Sequence, residues 1–326
     1  MNVYIDNAST GSQPSKYANP QNICYNSRVD VITLLQQLIN GLSLGSLYAL
    51  IAIGYTMVYG ILRLINFAHG DLLMVAAYVA VMAVGLFSWP WPAAFALAVL
   101  LTGVLGVLLE RGAYRPLRRA PRISLLISAI AASFLLENLA LVLAGGRPKP
   151  FPVPTAFAGA LNFGGVFIPR LSLLIPAVTA MLLLLLFFII YRTQVGRAMR
   201  AIARDLETVS LMGIDVNRVI AFTFLLGSLL AGAGGVMWSM KYPQVNPFMG
   251  ILPGLKAFIA AVLGGIGNVA GAVLGGFILG LLEVLIVAFL PDWAGYRDAL
   301  AFVLLIALLL VRPTGLLGEV LGEEKL

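Results

Sequence analysis

The sequence predicts an all-α membrane protein with about eight or nine transmembrane helices, some of them broken or re-entrant. Of its 326 residues, 60% are hydrophobic and only 11% are charged, whereas soluble domains average roughly 25% charged residues. Apolar segments recur along nearly the whole chain after residue 31, and many approach the roughly 20 residues that a helix needs to cross the hydrocarbon core. No room remains between them for a soluble domain of ordinary size.

The helix positions follow from the apolar runs and from the Gly, Pro and charged residues at the ends of those runs. The run 254–264 is short, and the first run is long enough to tilt or to break at Gly54, so the number of crossings is eight or nine. The predicted helices lie near 32–62, 71–88, 91–110, 123–144, 171–191, 219–240, 254–264, 268–290 and 298–312.

Residues 1–30 are rich in Asn, Ser and Pro and are balanced in charge, which predicts a disordered N-terminal tail. They contain no apolar run of the kind found in a secretory signal, so we expect membrane insertion to begin with the first helix. Residues 31–318 form the predicted transmembrane domain, and residues 319–326 form a short C-terminal tail.

The basic residues predict the orientation of the chain. Ten of the 21 Lys and Arg residues lie in two segments, Glu110–Arg122 and Tyr191–Arg218, which are separated by two crossings and so lie on one side. Because short basic loops stay in the cytoplasm, we predict that this side is cytoplasmic. Nine crossings place the N-terminus outside and the tail 319–326 inside, and eight would move the N-terminus inside.

Several function classes are excluded. The single cysteine and single histidine, Cys24 and His69, leave no disulfide within the chain and no imidazole-rich metal site. No Gly-Lys-Ser/Thr sequence exists for a phosphate-binding loop. Gly41–Gly45 matches the Gly-x-Ser-x-Gly pattern of hydrolases, but it lies within a predicted membrane helix and not at a strand-to-helix turn. The net charge of +7 is spread over short loops, unlike a nucleic-acid-binding face. The chain is therefore predicted to be neither an enzyme nor a cofactor-binding protein.

The segment between the two central helices predicts an amphipathic cytoplasmic helix over about 197–213. Met199, Ile202 and Val209 recur at helical spacing, and charged residues occupy the other faces. Such a helix either lies on anionic lipid or docks in a protein groove. Acidic residues among the arginines, Asp205 and Glu207, favour the groove.

Two Gly-rich polar interruptions, Ile65–Asp71 and Gly264–Asn268, each join two apolar helices. Non-helical backbone near membrane depth must be buried in protein or line a cavity, and in transporters such breaks build binding sites or gates. The alternative is a tight interfacial turn in which His69 and Asp71 cap the next helix. The candidate pathway or gate residues are Asn66, His69, Gly70, Asp71, Gly264, Gly265, Gly267 and Asn268.

Two carboxylates, Glu137 and Glu283, fall within predicted helices. Isolated charges in hydrocarbon are costly, so both are expected to face protein or water. Glu137 is near the predicted outer end of its helix, where we expect a solvated position at the rim.

Three stretches carry a resemblance to a known family. The run NGLSLGSLYALIAIGYTMVYGILRLINFAHGDLLMVAAY within Leu35–Tyr78, much of Gly196–Gly280, and VRPTGLLG at Val311–Gly318 closely resemble LivH-type permeases of branched-chain amino-acid ABC transporters. INFAHG followed by Asp71 is the most specific string. Permeases for urea and short amides share much of the pattern, so the resemblance indicates the family more firmly than the substrate.

The resemblance implies a multi-pass permease of a bacterial-type inner membrane that translocates branched-chain or other hydrophobic amino acids. Its implied partners are a second, homologous permease, two ABC ATPases that bind ATP and Mg, and a periplasmic amino-acid-binding protein. The amphipathic segment is then similar to the coupling helix that docks in an ATPase, although a Leu-Pro usual downstream is absent. The ATPase-coupling residues are Arg197, Arg200, Arg204, Asp205, Glu207 and Gly213.

Two alternatives stay open. One is a urea or short-amide ABC permease. The other is a stand-alone secondary transporter or channel, which would use Glu137, Glu283 or His69 for proton coupling.

Overall fold

The computed structural model describes residues 31–118, 120–163 and 166–318. The predicted tails 1–30 and 319–326 lie outside these residues. The helices, in chain order, are α1 (Val31–Leu62), α2 (His69–Gly85), α3 (Trp91–Leu109), α4 (Arg122–Ala144), α5 (Arg170–Arg192), α6 (Gln194–Arg204), α7 (Leu206–Leu211), α8 (Val216–Lys241), α9 (Ile251–Gly264), α10 (Val269–Phe289) and α11 (Arg297–Val311). The strands are β1 (Lys149–Pro150), β2 (Ala160–Phe163), β3 (Val166–Pro169) and β4 (Gln244–Val245).

Helix α1 is the centre of the bundle and contacts α5, α8, α9 and α10. Its residues are buried almost continuously from Gly41 to Val58. The approach to α10 depends on glycine, because a Cβ at Gly276 would lie 2.6 Å from the Cα of Ala49, and one at Gly45 would lie 2.8 Å from the Cα of Phe277. Small residues of this kind let membrane helices pack backbone to backbone. The break that we considered at Gly54 does not occur, since α1 is continuous through it.

Within the described residues, seven helical spans are long and apolar enough to cross a membrane, where α3 is counted with its continuation to Leu117 and α11 with the 3-10 helix that begins at Pro291; α2 and α9 are shorter apolar helices. With 17 and 14 residues, these two extend only about 25 and 21 Å at 1.5 Å per residue, less than the roughly 30 Å of a hydrocarbon core. They begin inside the bundle, where the backbone of Gly70 lies against Gly250 and Gly254. The prediction of an all-α polytopic fold with broken or re-entrant helices is confirmed.

The two basic segments lie at the same end of the bundle. Arg118 donates a hydrogen bond from Nη1 to Oδ1 of Asn217 at 2.8 Å, which joins the segment after α3 to the start of α8. We call this the basic end. The positive-inside rule assigns it to the cytoplasm.

The opposite end carries the β structure and the start of α1. β1 pairs with β4, and β2 pairs with β3, both antiparallel. Asn40, near the start of α1, accepts a hydrogen bond from the Ser172 hydroxyl at the start of α5 (3.3 Å). This arrangement agrees with the nine-crossing topology, in which the first residue of α1 faces outward.

The last described residues form hydrogen bonds with the end of α9 at the basic end. The amides of Leu316 and Leu317 donate to the carbonyls of Leu263 and Gly264, each at 2.9 Å, and the Asn268 side chain donates to the carbonyl of Leu317 at 2.8 Å. The end of α9 thus pairs with a segment far away in sequence.

We expect Gly276→Ala to lower the free energy of unfolding by about 1–3 kcal/mol, because the new methyl group forces α10 away from α1. Thermal unfolding of the purified chain in detergent measures the effect. Gly112→Ala is the matched control, since a Cβ there meets no atom within 4 Å. Equal unfolding midpoints for the two variants would contradict the proposed packing of α1 on α10.

Candidate functional site

The first interruption is buried in the bundle between α1 and α2. Asn66 is 2% exposed and accepts a hydrogen bond from the Tyr114 hydroxyl at 2.6 Å. His69 is also buried, and its ring meets the edge of Tyr55 with centroids 4.7 Å apart. The interruption is therefore held by side chains of other helices, as backbone at membrane depth requires.

Asp71 does not cap α2. The N-cap position is Ala68, with no capping side chain, and the Asp71 carboxylate instead accepts a hydrogen bond from the Ser133 hydroxyl of α4 at 2.5 Å. Asp71, Ser133 and Glu137 line one cavity, which is closed on another side by Gly250 and the first turn of α9.

The expectation for Glu137 was wrong. The sequence suggested a solvated rim position, but Glu137 is 6% exposed and shares the Asp71 cavity. The helical spacing from Ser133 to Glu137 puts both side chains on one face of α4, and that face packs towards α2. No charged partner for Asp71 or Glu137 appears among the ion pairs of the described residues.

The second interruption, Gly264–Asn268, is a turn at the basic end and not a break in the middle of the bundle. Gly265 and Gly267 have positive φ angles of 110° and 95°, which favour glycine. Asn268 caps α10 by accepting from the Gly271 amide at 3.1 Å. One residue of each interruption, Ile65 and Ile266, borders a small apolar cleft together with Tyr55 and Phe258.

The backbone that meets Gly70 in the interior is the segment from Asn246 to Gly254, which sequence reasoning missed. The sequence does carry a signal there, since Asn246-Pro247, Gly250 and Pro253-Gly254 interrupt the apolar pattern.

The predicted amphipathic helix is two helices separated at Asp205. Thr193 caps α6 by accepting from the Gly196 amide at 3.1 Å, and Asp205 accepts from the Thr208 amide at 3.1 Å in the first turn of α7. Glu207 lies within α7. The correction has a physical cause, because an aspartate favours a helix start over a helix interior.

The apolar stripe of α6 and α7 packs on the chain's own bundle and not in a partner groove or on lipid, since Met199, Ile202 and Val209 are buried in the core. The candidate coupling residues on the other faces are exposed: Arg197, Arg200, Arg204, Asp205 and Gly213. Leu211 and Met212 are also exposed, by 88% and 74%. The helix pair therefore presents a mixed-charge surface with two apolar side chains at its end.

A cavity at the basic end brings the coupling residues next to the second interruption. It is lined by three arginines, Arg63, Arg200 and Arg204, together with Gly267 and Asn268. The Arg200 guanidinium lies 5.2 Å from the centre of the Tyr191 ring and donates to the carbonyl of Ile190. These two contacts attach α6 to the end of α5.

Glu283 faces protein, as expected for a carboxylate within a membrane helix. It accepts from Lys256 and from the Tyr48 hydroxyl, both at 2.7 Å, and Lys256 also pairs with Asp298 at 2.6 Å. Lys256, which lies in the short run 254–264, was not among the predicted site residues.

We expect Gly54→Ala to displace His69 and to lower the free energy of unfolding by about 1–3 kcal/mol, because a Cβ at Gly54 would overlap the imidazole. Hydrogen exchange over residues 65–71 should become faster. Gly60→Ala is the control in the same helix, since its Cβ would lie in ordinary contact, 3.5 Å from Gly267. Unchanged exchange in Gly54→Ala would contradict the assigned position of His69.

Comparison with known proteins identifies the family to which the chain belongs. The model of the family described as branched-chain amino acid transport system / permease component matches residues 37–309. The high-affinity branched-chain amino acid transport system permease protein BraD of Pseudomonas aeruginosa is 46% identical over 305 residues, which cover 89% of this chain and 97% of BraD.

Two proteins named LivH are also similar. The Escherichia coli K12 protein is 44% identical over 298 residues, covering 87% of this chain and 96% of its own length. The probable LivH of Methanocaldococcus jannaschii is 29% identical over 290 residues, covering 84% and 89%. With these relatives and seven membrane-length helical spans in its described part, the chain belongs to the family of multi-pass membrane permease components of branched-chain amino acid transport systems.

Proposed function

We propose that the chain translocates branched-chain or other hydrophobic amino acids across the inner membrane, driven by ATP that separate subunits hydrolyse. The observation that carries the proposal is the α6–α7 pair. It is an exposed mixed-charge surface at the basic end, in a chain whose sequence contains no phosphate-binding loop. The names of the similar permeases support the substrate class.

The assembly that we propose contains a second, homologous permease, two ATPase subunits that hold ATP and Mg, and a periplasmic amino-acid-binding protein. The ATPases dock on α6 and α7 through Arg197, Arg200, Arg204, Asp205 and Glu207, with Gly213 ending the surface. Leu211 and Met212 supply apolar contact area, since both are largely exposed. The binding protein delivers its amino acid to the opposite end.

Coupling follows from how α6 and α7 are attached. Arg200 ties α6 to the end of α5, and the Asp215 side chain caps α8 immediately after α7 by accepting from the Asn217 amide at 3.1 Å. ATP shifts the transporter between states only to the extent that it binds one state better. Closure of the ATPases therefore moves α5 and α8, and α8 packs on α1, α2 and α3.

The proposed pathway runs past the first interruption and the Asp71 cavity towards the turn at the basic end. Asn66, His69, Gly70 and Asp71 form its inner part. The turn residues Gly264, Gly265, Gly267 and Asn268 border the exit, next to the arginine-lined cavity.

A stand-alone, proton-coupled transporter is the second candidate, because Asp71 and Glu137 are two buried carboxylates that share one cavity. In that case the purified chain alone would accumulate substrate when a proton gradient is imposed. A urea or short-amide permease would show ATP-driven uptake of those compounds and none of leucine.

Reconstitution tests the function. Proteoliposomes that contain the complete transporter and its binding protein should take up leucine, isoleucine or valine only with ATP inside, and vesicles with this chain alone should take up none. ATP-independent uptake by the chain alone would contradict the proposal.

We expect the double variant Leu211→Asp, Met212→Asp to reduce ATPase co-purification at least tenfold, because charges replace the apolar contact of the docking surface. Quantitative immunoblotting of the purified complex measures this. Leu290→Asp is the control, since Leu290 is also exposed (51%) but lies at the opposite end. Full ATPase recovery in the double variant would rule out this docking surface.

A cysteine at Ser133 should react with an aqueous thiol reagent in at least one state of the ATP cycle, because Ser133 lines the Asp71 cavity. The variant is made with Cys24→Ser to remove the only native thiol. Ala129→Cys, one helical turn away and fully buried, should stay at least tenfold less reactive. If Ser133→Cys is as inert as Ala129→Cys in every state, the cavity is not part of the pathway.

A further inference from the structure

We propose that a cavity at the end of the bundle opposite the basic end, which we call the outer end, binds the zwitterionic head group of an aliphatic amino acid. The cavity lies between α1, α8, α10 and α11. Lys241 and Arg297 receive the carboxylate, and Glu283 receives the ammonium group. All three side chains line the same cavity. The inference rests on the proposed function for its choice of ligand and adds a place where the ligand is first held by the permease.

The cations at this end oppose the usual charge distribution of membrane proteins, in which Lys and Arg collect on the cytoplasmic side. The charged groups that meet here are Lys241, Lys256 and Arg297 on one side and Glu283 and Asp298 on the other. One positive charge is in excess. The cavity therefore favours a ligand with a carboxylate.

Lys241 supplies this excess charge. Its Nζ donates to the Ser43 hydroxyl at 2.9 Å, and no carboxylate lies within ion-pair distance of it among the described residues. Arg297 is 53% exposed, and its Nε lies 3.7 Å from both Glu283 and Asp298. Both cations can turn towards a ligand without breaking a short ion pair.

Glu283 is fixed in place by its neighbours. One oxygen accepts from Lys256 and the other from Tyr48, and the side chain is 8% exposed. Burying charges costs several kcal/mol for each ion even when they are paired, so this cluster is expensive for a structural role alone. Each carboxylate oxygen has more than one acceptor position, which leaves Glu283 able to accept from a ligand's ammonium group.

The rest of the cavity wall is part polar, with Gln37, Asn40 and Tyr242, and part apolar. Leu44, Val284 and Val287 line it beside the charged groups. A zwitterion with an aliphatic side chain matches both parts of this wall, whereas urea and short amides carry no carboxylate for Lys241.

The test measures equilibrium binding of radiolabelled leucine to the full chain in lipid nanodiscs, without the binding protein. Competition by leucinamide, which lacks the carboxylate, and by 4-methylpentanoate, which lacks the ammonium group, should each be at least tenfold weaker than by leucine. Lys241→Gln should weaken leucine binding about tenfold, since a charged hydrogen bond is lost. Lys241→Arg should restore most of it.

Lys149→Gln is the matched control, because Lys149 is another cation of the outer end, in β1, and lines a different cavity. It should bind leucine as the unchanged chain does. The inference is overturned if the chain binds no leucine, if Lys241→Gln and Arg297→Gln both bind within twofold of it, or if leucinamide competes as well as leucine. ATP-driven uptake by the complete transporter is measured separately. The proposed transport function can therefore be supported while this binding site is contradicted, and the binding site can be supported while the transport function is contradicted.

Discussion

The close approach of α1 to α10 is the contact on which the rest of the bundle depends. Lipid tails are as apolar as leucine, so membrane helices gain little from hydrophobic burial and rely on tight packing. Gly45, Gly276 and Gly280 provide it, because each lies against the backbone of the facing helix. With α1 held in this way, α5, α8 and α9 have a common surface to pack against, and the short helices can begin inside the protein.

The two short helices place polar groups along the proposed path without exposing them to lipid. The start of α2 and the start of α9 meet through Gly70 and Gly250, and polar side chains from other helices complete the region. Tyr114 binds Asn66 and Ser133 binds Asp71. Carboxylates at this depth are costly, so their place beside a cavity fits a transport role better than a packing role.

Much of this fold follows from local sequence, and much of the site does not. Among the described residues, apolar length predicted the nine helices α1 to α5 and α8 to α11, because crossing hydrocarbon constrains composition more strongly than any contact does. The polar string Asn66–Asp71 was identified because it interrupts the apolar residues that such a crossing needs. The segment around Gly250 and the role of Lys256 were missed, since both depend on partners 180 and 27 residues away, Gly70 and Glu283. Asp205 split a helix that periodicity alone had joined, and the burial of Glu137 depends on how α4 packs on α2.

The pairing of residues 316–317 with the end of α9 has a consequence for how the protein is made. The carbonyls of Leu263 and Gly264 receive their partners from Leu316 and Leu317, about fifty residues later in the chain. While a ribosome is still synthesising α10 and α11, those carbonyls must be satisfied by water or by another protein. The turn beside the arginine-lined cavity therefore closes only after α11 has entered the membrane, which makes it one of the last parts of the permease to mature during biogenesis.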